Sequence, residues 1–258
     1  MKKILIVTGA VLAFAASGPA AVSLTTASER QAEAPAATAG TGRAEIETIV
    51  RDYLLANPEI LLEMQTALEQ KMRQQQEAAS RQAIAEASDL IFNSEYDGVV
   101  GNPDGDVTVV EFFDYNCGYC KRALADMEAL VQSDPNLRFV LKEFPILGPE
   151  SHEAHAVSMA FRELMPEKYG DFHRRLLGGG GRADGESAMK IALDLGADES
   201  QLRERMRDPE IEAAFRKTYE LADQLQITGT PSYVIGQEVV FGALGRDHLS
   251  EKIESARQ

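Results

Sequence analysis

The sequence predicts an α/β domain carrying a helical insertion, preceded by a separate helical segment. Three observations point to it. The apolar run Val107-Thr-Val-Val-Glu-Phe-Phe-Asp114 leads directly into Cys117-Gly-Tyr-Cys120 and then into a helical pattern, which makes a strand-to-helix junction. A second apolar run, Leu137-Arg-Phe-Val-Leu-Lys-Glu-Phe144, is parted from a closing hairpin by helical patterns over about residues 151–227. Before residue 95, apolar side chains fall instead on one narrow stripe at three- and four-residue steps.

Taken in order, the chain opens with Met1-Lys2-Lys3 and a short apolar run ending in small residues, the layout of a secretory signal over residues 1–21. Cleavage is expected after Ala20, Ala21 or Ala27; an uncleaved anchor is the alternative reading. The run is shorter than the ~20 residues a spanning helix needs. A lipid anchor on cysteine is excluded, because no Cys precedes Cys117. Residues 22–43, rich in Ala, Thr, Ser and Gly, read as a flexible leader.

Residues 44–94 follow as a helical segment. Ile46, Ile49, Val50, Tyr53 and Leu54 lie at helical spacing, and Asn57-Pro58 reads as an N-cap with Pro at the first helical position. Leu61, Met64, Leu68 and Met72 continue the stripe, with Gln, Glu, Arg and Lys filling the other faces. A narrow stripe remote from other core segments needs a partner, and a second copy of the chain supplies one. We therefore expect a homo-oligomer through residues 44–92; the alternative is that these helices pack on their own subunit, or that Lys71 to Glu86 is a solvated linker.

The domain proper is expected over 95–258. Asn102-Pro-Asp-Gly105 is a turn before the first strand, residues 117–132 form a helix, and Gly178-Gly-Gly-Gly181 and Gly196 break the inserted helices. Ser232-Tyr-Val-Ile235 and Glu238-Val-Val-Phe241 pair across Gly236-Gln237, and an amphipathic helix from about Arg246 closes the chain.

Cys117 and Cys120 are the chain's two cysteines. A Cys-x-x-Cys pair also serves as half of a zinc site, but zinc asks for four ligands. No second pair exists, and His152 and His155 lie far downstream in a helical pattern. In an exported chain of this length a single short-loop disulfide adds little stability, so the pair reads as chemistry. A thiolate is the nucleophile, and a helix N-terminus favours the anion, which makes Cys117 the attacking thiol and Cys120, one turn inward, the resolving one. Gly118 and Tyr119 set the spacing and tune the potential. The net charge of −15 argues against nucleic acid or anionic membrane as partner.

Strand, Cys-x-x-Cys, helix and a distant Thr230-Pro231 opening a terminal hairpin resemble the thioredoxin fold, with 151–227 like the helical insertion of DsbA-type thiol-disulfide oxidoreductases. Val-Glu-Phe-Phe-Asp-Tyr-Asn-Cys-Gly-Tyr-Cys-Lys, Phe-Val-Leu-Lys-Glu-Phe-Pro-Ile-Leu and Ile-Thr-Gly-Thr-Pro-Ser-Tyr-Val-Ile-Gly look like signatures of that family. Upstream, Ile-Val-Arg-Asp-Tyr-Leu-Leu-Ala-Asn-Pro-Glu-Ile-Leu-Leu-Glu resembles the N-terminal segment of the suppressor-of-copper-sensitivity protein C subgroup.

The resemblance implies a cis Pro231 beside the cysteines, with Thr230 holding a substrate strand. It implies also that Glu111, interrupting an apolar strand, takes the proton of Cys120, with Lys142 as its charge partner; a structural buried ion pair is the competing reading. Tyr115 and Tyr119 are candidates to line a substrate groove or to pack, and the histidines are expected at the surface or as caps. No cofactor is implied. Expected partners are unfolded or misoxidised exported proteins and a membrane thiol-redox protein that recycles the pair, in the periplasm. Cys-Gly-Tyr-Cys with Thr before the cis proline resembles the pairing of dimeric periplasmic isomerases, and with the expected self-associating stalk that resemblance favours a disulfide isomerase or reductase. The alternatives are a dithiol oxidase and a Cu(I)-binding protein using Cys117 and Cys120.

Overall fold

The structure, a computed structural model, describes residues 41–258. The expected signal and nearly all of the leader lie outside the described residues. The chain divides into one unit ending at Ile60 and another over Leu61–Gln258.

In the first unit, helix α1 (Thr41–Ala56) carries Ile46, Ile49, Val50, Tyr53, Leu54 and Leu55 exposed. Its first turn overlaps the end of the expected leader. Asn57 acts differently from expectation. Its backbone N–H and its side-chain Nδ2 both donate to the Tyr53 carbonyl, at 2.9 and 2.8 Å, and so close α1. Pro58 disfavours a helical conformation at the residue before it, which stops α1 there; the next helix, α2 (Ile60–Glu86), starts two residues beyond that proline.

In the second unit the apolar stripe of α2 at Leu61, Met64, Leu68 and Met72 is exposed, whereas Ile84 near its C-terminus is buried. A short helix α3 (Ser88–Phe92) follows and buries Ile91. The segment expected to serve association thus ends in residues that belong to the domain core.

Five strands form one sheet in the order β1-β3-β2-β4-β5: β1 (Gly98–Gly101), β2 (Val107–Phe113), β3 (Leu137–Glu143), β4 (Ser232–Ile235) and β5 (Glu238–Phe241). β2 and β3 are parallel, joined through α4 (Gly118–Ser133), and the remaining pairs are antiparallel. Burial on both faces explains why β2 and β3 read as continuous apolar runs. β1 is hidden in sequence as Gly-Val-Val-Gly; a Cβ at Gly98 would stand 1.9 Å from the Tyr169 ring, so the close approach demands glycine.

Alternation along the strands sorts side chains onto two faces. Val107, Val109, Phe113, Phe139, Leu141, Tyr233 and Ile235 pack against α4, the insertion and the terminal α10 (Arg246–Ala256). Val110, Phe112, Val140, Phe144 and Val234 pack with Ile84, Ile91, Leu221 and Leu225 on the other. Each large apolar side chain so buried stabilises the fold by roughly 1.5–3 kcal/mol. The insertion comprises α5 (Pro149–Leu164), a 3-10 turn at Pro166–Lys168, α6 (Tyr169–Leu177), α7 (Gly185–Asp194), α8 (Glu199–Arg205) and α9 (Pro209–Gln224). Among the described residues no helix is long and apolar enough to cross a membrane.

Candidate active site

β2 ends at Phe113, and a turn closed by the Cys117 N–H donating to the Asp114 carbonyl at 3.0 Å delivers Cys117 to the N-cap of α4. There its Sγ accepts the Cys120 N–H at 3.4 Å and, as a thiol, donates to the Thr230 carbonyl at 3.1 Å. Thr230 precedes Pro231 across a cis peptide bond, as expected. The structure therefore brings Cys117, Cys120, Thr230 and Pro231 together from opposite ends of the domain. A side chain at Gly118 would meet nothing within 4 Å, so that approach to the first turn is open. Tyr119 is 60% exposed, with the Arg122 guanidinium 4.2 Å above its ring.

The two thiols are driven apart electrostatically. The Cys120 side chain, foremost, then Thr230 and the N–H groups of Cys120 and Tyr119 lower the Cys117 pKa to about 5, against the opposing effect of burial. At neutral pH it is then ionised by about a hundred to one. Burial first, then the hydrogen bond to Cys117 and the nearby Glu111, push the Cys120 thiol far above its ordinary value.

Glu111 lies on the cysteine face of β2, opposite Tyr233 on β4 and Leu141 on β3. Burial, together with the Cys117 charge, raises its pKa from 4.5 to about 8. Lys142 is not its partner. Lys142 sits level with Phe112, one residue along from Glu111's neighbour Leu141, and a one-residue step reverses the face. Its ammonium instead meets Asp97 at 2.5 Å and the Leu90 carbonyl on the far side of the sheet. Burial lowers the Lys142 pKa and raises that of Asp97 to about 6.

Histidine placement also departs from expectation. His152 is at the surface beside Glu212, but His155 and His173 are fully buried. His155 contacts the Glu143 carboxylate through Nδ1, and its Nε2 accepts the Tyr115 N–H at 3.2 Å. Tyr115 is buried packing and no groove wall, its hydroxyl 2.8 Å from Ser158. This cluster escaped sequence reading because Ser and His on a helix look solvated. Its one signal was the spacing Ser151, His155, Ser158 along the insertion's first helix. Among the described residues no group of three or more His, Cys, Asp or Glu is placed to hold a metal.

A family model of the DsbA-like thioredoxin domain matches residues 108–254. The chain belongs to the DsbA-like thioredoxin family. A second model, the N-terminal domain of the copper resistance protein ScsC, matches residues 43–79. A thioredoxin-like oxidoreductase from Silicibacter pomeroyi is 43% identical, with a TM-score of 0.62 over 66% of this chain and 96% of its own. A linker-deletion mutant of Proteus mirabilis ScsC is 26% identical, with a TM-score of 0.64 over 86% of this chain and 98% of its own. The chain spans only 24% of the Na(+)/H(+) antiporter NhaA 1 of Salinispora arenicola, at 25% identity, but 75% of disulfide bond formation protein D of Bacillus subtilis, at 26%. These likenesses support a thiol-disulfide oxidoreductase of the DsbA and ScsC type.

Proposed function

We propose that the chain is an exported disulfide isomerase or reductase that works as a homo-oligomer on misoxidised periplasmic proteins. The Cys117 thiolate attacks a substrate disulfide, forming one mixed disulfide and releasing one substrate thiolate. In isomerisation that thiolate, or another in the substrate, attacks in turn and frees Cys117 unchanged. In reduction Cys120 loses its proton to Glu111 and attacks the Cys117 sulfur, leaving the Cys117–Cys120 disulfide and a reduced substrate. A membrane thiol-redox partner then restores the pair. Thr230 and Pro231 hold the substrate strand, and Gly118 and Tyr119 shape its approach.

The observation that carries the proposal is the exposed stripe upstream. Ile46, Ile49, Val50, Tyr53, Leu54, Leu61, Met64, Leu68 and Met72 range from 43% exposed at Leu54 to 71% at Leu61. Apolar side chains so exposed on each of the two helices, within the segment matched by the ScsC N-terminal model, fit association of copies and several cysteine pairs in one assembly. The thiols add support. A resolving cysteine reluctant to ionise prolongs the mixed disulfide, which gives a substrate time to rearrange. The same reluctance disfavours Cu(I) held between two thiolates.

The test is the double variant Leu61→Glu with Leu68→Glu in the full chain. By light scattering it should be a monomer, and its reshuffling of a scrambled protein should fall at least ~10-fold, while exchange with glutathione stays as in wild type. A wild-type monomer, or a variant that reshuffles as well as wild type, overturns the reading. Faster net oxidation of reduced protein by the wild-type oligomer than reshuffling would favour the oxidase instead.

A further inference from the structure

The three residues before Cys117 are held by the helical insertion. Ser151, His155 and Ser158 lie at i, i+4 and i+7 of α5, on one face, and all three are fully buried. The Asp114 carboxylate, also fully buried, takes four donors. Its Oδ1 accepts the Asn116 N–H at 2.7 Å and the Ser151 hydroxyl at 2.8 Å, and its Oδ2 accepts the N–H groups of Ile146 and Leu147 at 2.8 and 3.0 Å. Asn116, next to the nucleophile, bonds both ways to the joint between α6 and α7. Its Nδ2 donates to the Ala183 carbonyl at 2.8 Å and to Ser151 Oγ at 2.9 Å, while its Oδ1 accepts the Ala183 N–H at 2.7 Å.

His155 completes the set. The Tyr115 N–H needs an acceptor at Nε2, so the ring proton sits on Nδ1, where Glu143 receives it. Glu143 is held in turn by Ser158 at 2.6 Å and by the Tyr169 hydroxyl at 3.1 Å. Every N–H of the turn from Tyr115 to Cys117 is thereby paired, two of them through side chains rather than through the backbone ladder.

We propose that Asn116 and His155 are positioning residues for disulfide exchange: they hold the turn carrying Cys117 so that its sulfur meets the Cys120 N–H and the Thr230 carbonyl. Neither touches the reacting sulfur, and the role is the same whether the chain isomerises, reduces or oxidises. It rests only on exchange at Cys117. Loosening the turn moves the sulfur from the Cys120 N–H and the helix N-terminus that favour its anion, which weakens the reduced form relative to the disulfide.

The experiment compares Asn116→Ala, His155→Phe and His155→Gln with wild type in two readouts, the ultraviolet titration of the Cys117 thiolate and the redox equilibrium with glutathione. Exchange by the wild-type chain in the same assay checks the cysteine pair itself, so its failure is distinguishable from failure of the positioning. Asn116→Ala and His155→Phe should titrate at higher pH, with the equilibrium moved about tenfold toward the disulfide, roughly 30 mV. His155→Gln, which retains a donor for Glu143 and an acceptor for Tyr115, should stay close to wild type. Asn116→Ala removes only a half-buried side chain, and it decides the matter should His155→Phe not fold. Wild-type titration and equilibrium in Asn116→Ala, or a His155→Gln shifted as far as His155→Phe, overturn the proposal, even where the variants melt at lower temperature.

Discussion

Glu111 stands buried on the cysteine face with no cation paired to it among the described residues, so it meets its desolvation by keeping a proton until about pH 8. A carboxyl poised there accepts a proton from Cys120 only once ionised. Release of a mixed disulfide by Cys120 should therefore speed up as pH rises through about 8, and Glu111→Gln should flatten that rise and slow the step by about 100-fold. Rapid-mixing measurement of mixed-disulfide decay across pH checks this; an unchanged profile removes Glu111 from the mechanism. The same shift has a stability consequence. The folded state holds a proton that the unfolded chain gives up near pH 4.5, so the protonated carboxyl favours folding at low pH and this is lost between about pH 4.5 and 8. Glu111→Gln should accordingly stabilise the reduced protein at pH 9 by on the order of 4 kcal/mol and hardly at all at pH 4. Lys142 belongs to a different argument. Lys142→Met leaves Asp97 buried without its cation and should cost about 3 kcal/mol in denaturant unfolding, yet leave the Cys117 titration untouched, because the pair lies across the sheet.

At the level of elements, α4 is an anion site whose anion is part of the chain. Cys117 both caps the helix and carries the charge that its N-terminus favours, and the disulfide form loses that charge. A thiol whose folded pKa is depressed to about 5 contributes stability that is fully present above its unfolded value near 9 and is lost as pH falls through 5. Reduced protein should therefore gain melting temperature over the oxidised form as pH is raised from 5 to 8. Calorimetry of both forms across that range should find the gap widening, and a constant gap would deny the thiolate its capping role. The junction of β2 and α4 was legible in sequence because a run of apolar residues, a Cys-x-x-Cys pair and a helical pattern are all local signals. So were β3 and the β4–β5 hairpin. β1 was not, because Gly98 and Gly101 look like turn residues until the Tyr169 ring and the paired strand β3 are in place. Pairing Glu111 with Lys142 failed for a related reason: both interrupt apolar strands, but only the register of β2 on β3 tells which face each takes. The Asp114, Asn116 and His155 cluster joins residues far apart in the chain, and its one local trace is the spacing of Ser151, His155 and Ser158 on α5.

At the scale of the whole molecule, the proposed function ties the direction of exchange to what the upstream helices do with their apolar residues. α2 spends its first half exposing Leu61, Leu62, Met64, Leu68 and Met72, and its last turn placing Ile84 in the core beside Ile91. Truncation intended to abolish association must therefore stop short of Ile84, since removal of residues 44–92 would strip Ile84, Ala87 and Ile91 from the domain. In the proposed assembly, joined through that exposed half, each cysteine pair would lie within reach of a substrate held by its neighbour, and reshuffling that substrate needs the attacking cysteine free as the thiolate. The pairs should then rest mainly as thiols. Trapping with an alkylating reagent in intact cells, followed by separation of the alkylated forms, should find Cys117 and Cys120 predominantly reduced in the wild-type chain. In the chain carrying Leu61→Glu and Leu68→Glu the disulfide fraction should rise. A wild-type pair trapped mainly as the disulfide would make the chain an oxidase, and an unaltered redox state in the monomeric variant would separate the direction of exchange from assembly altogether.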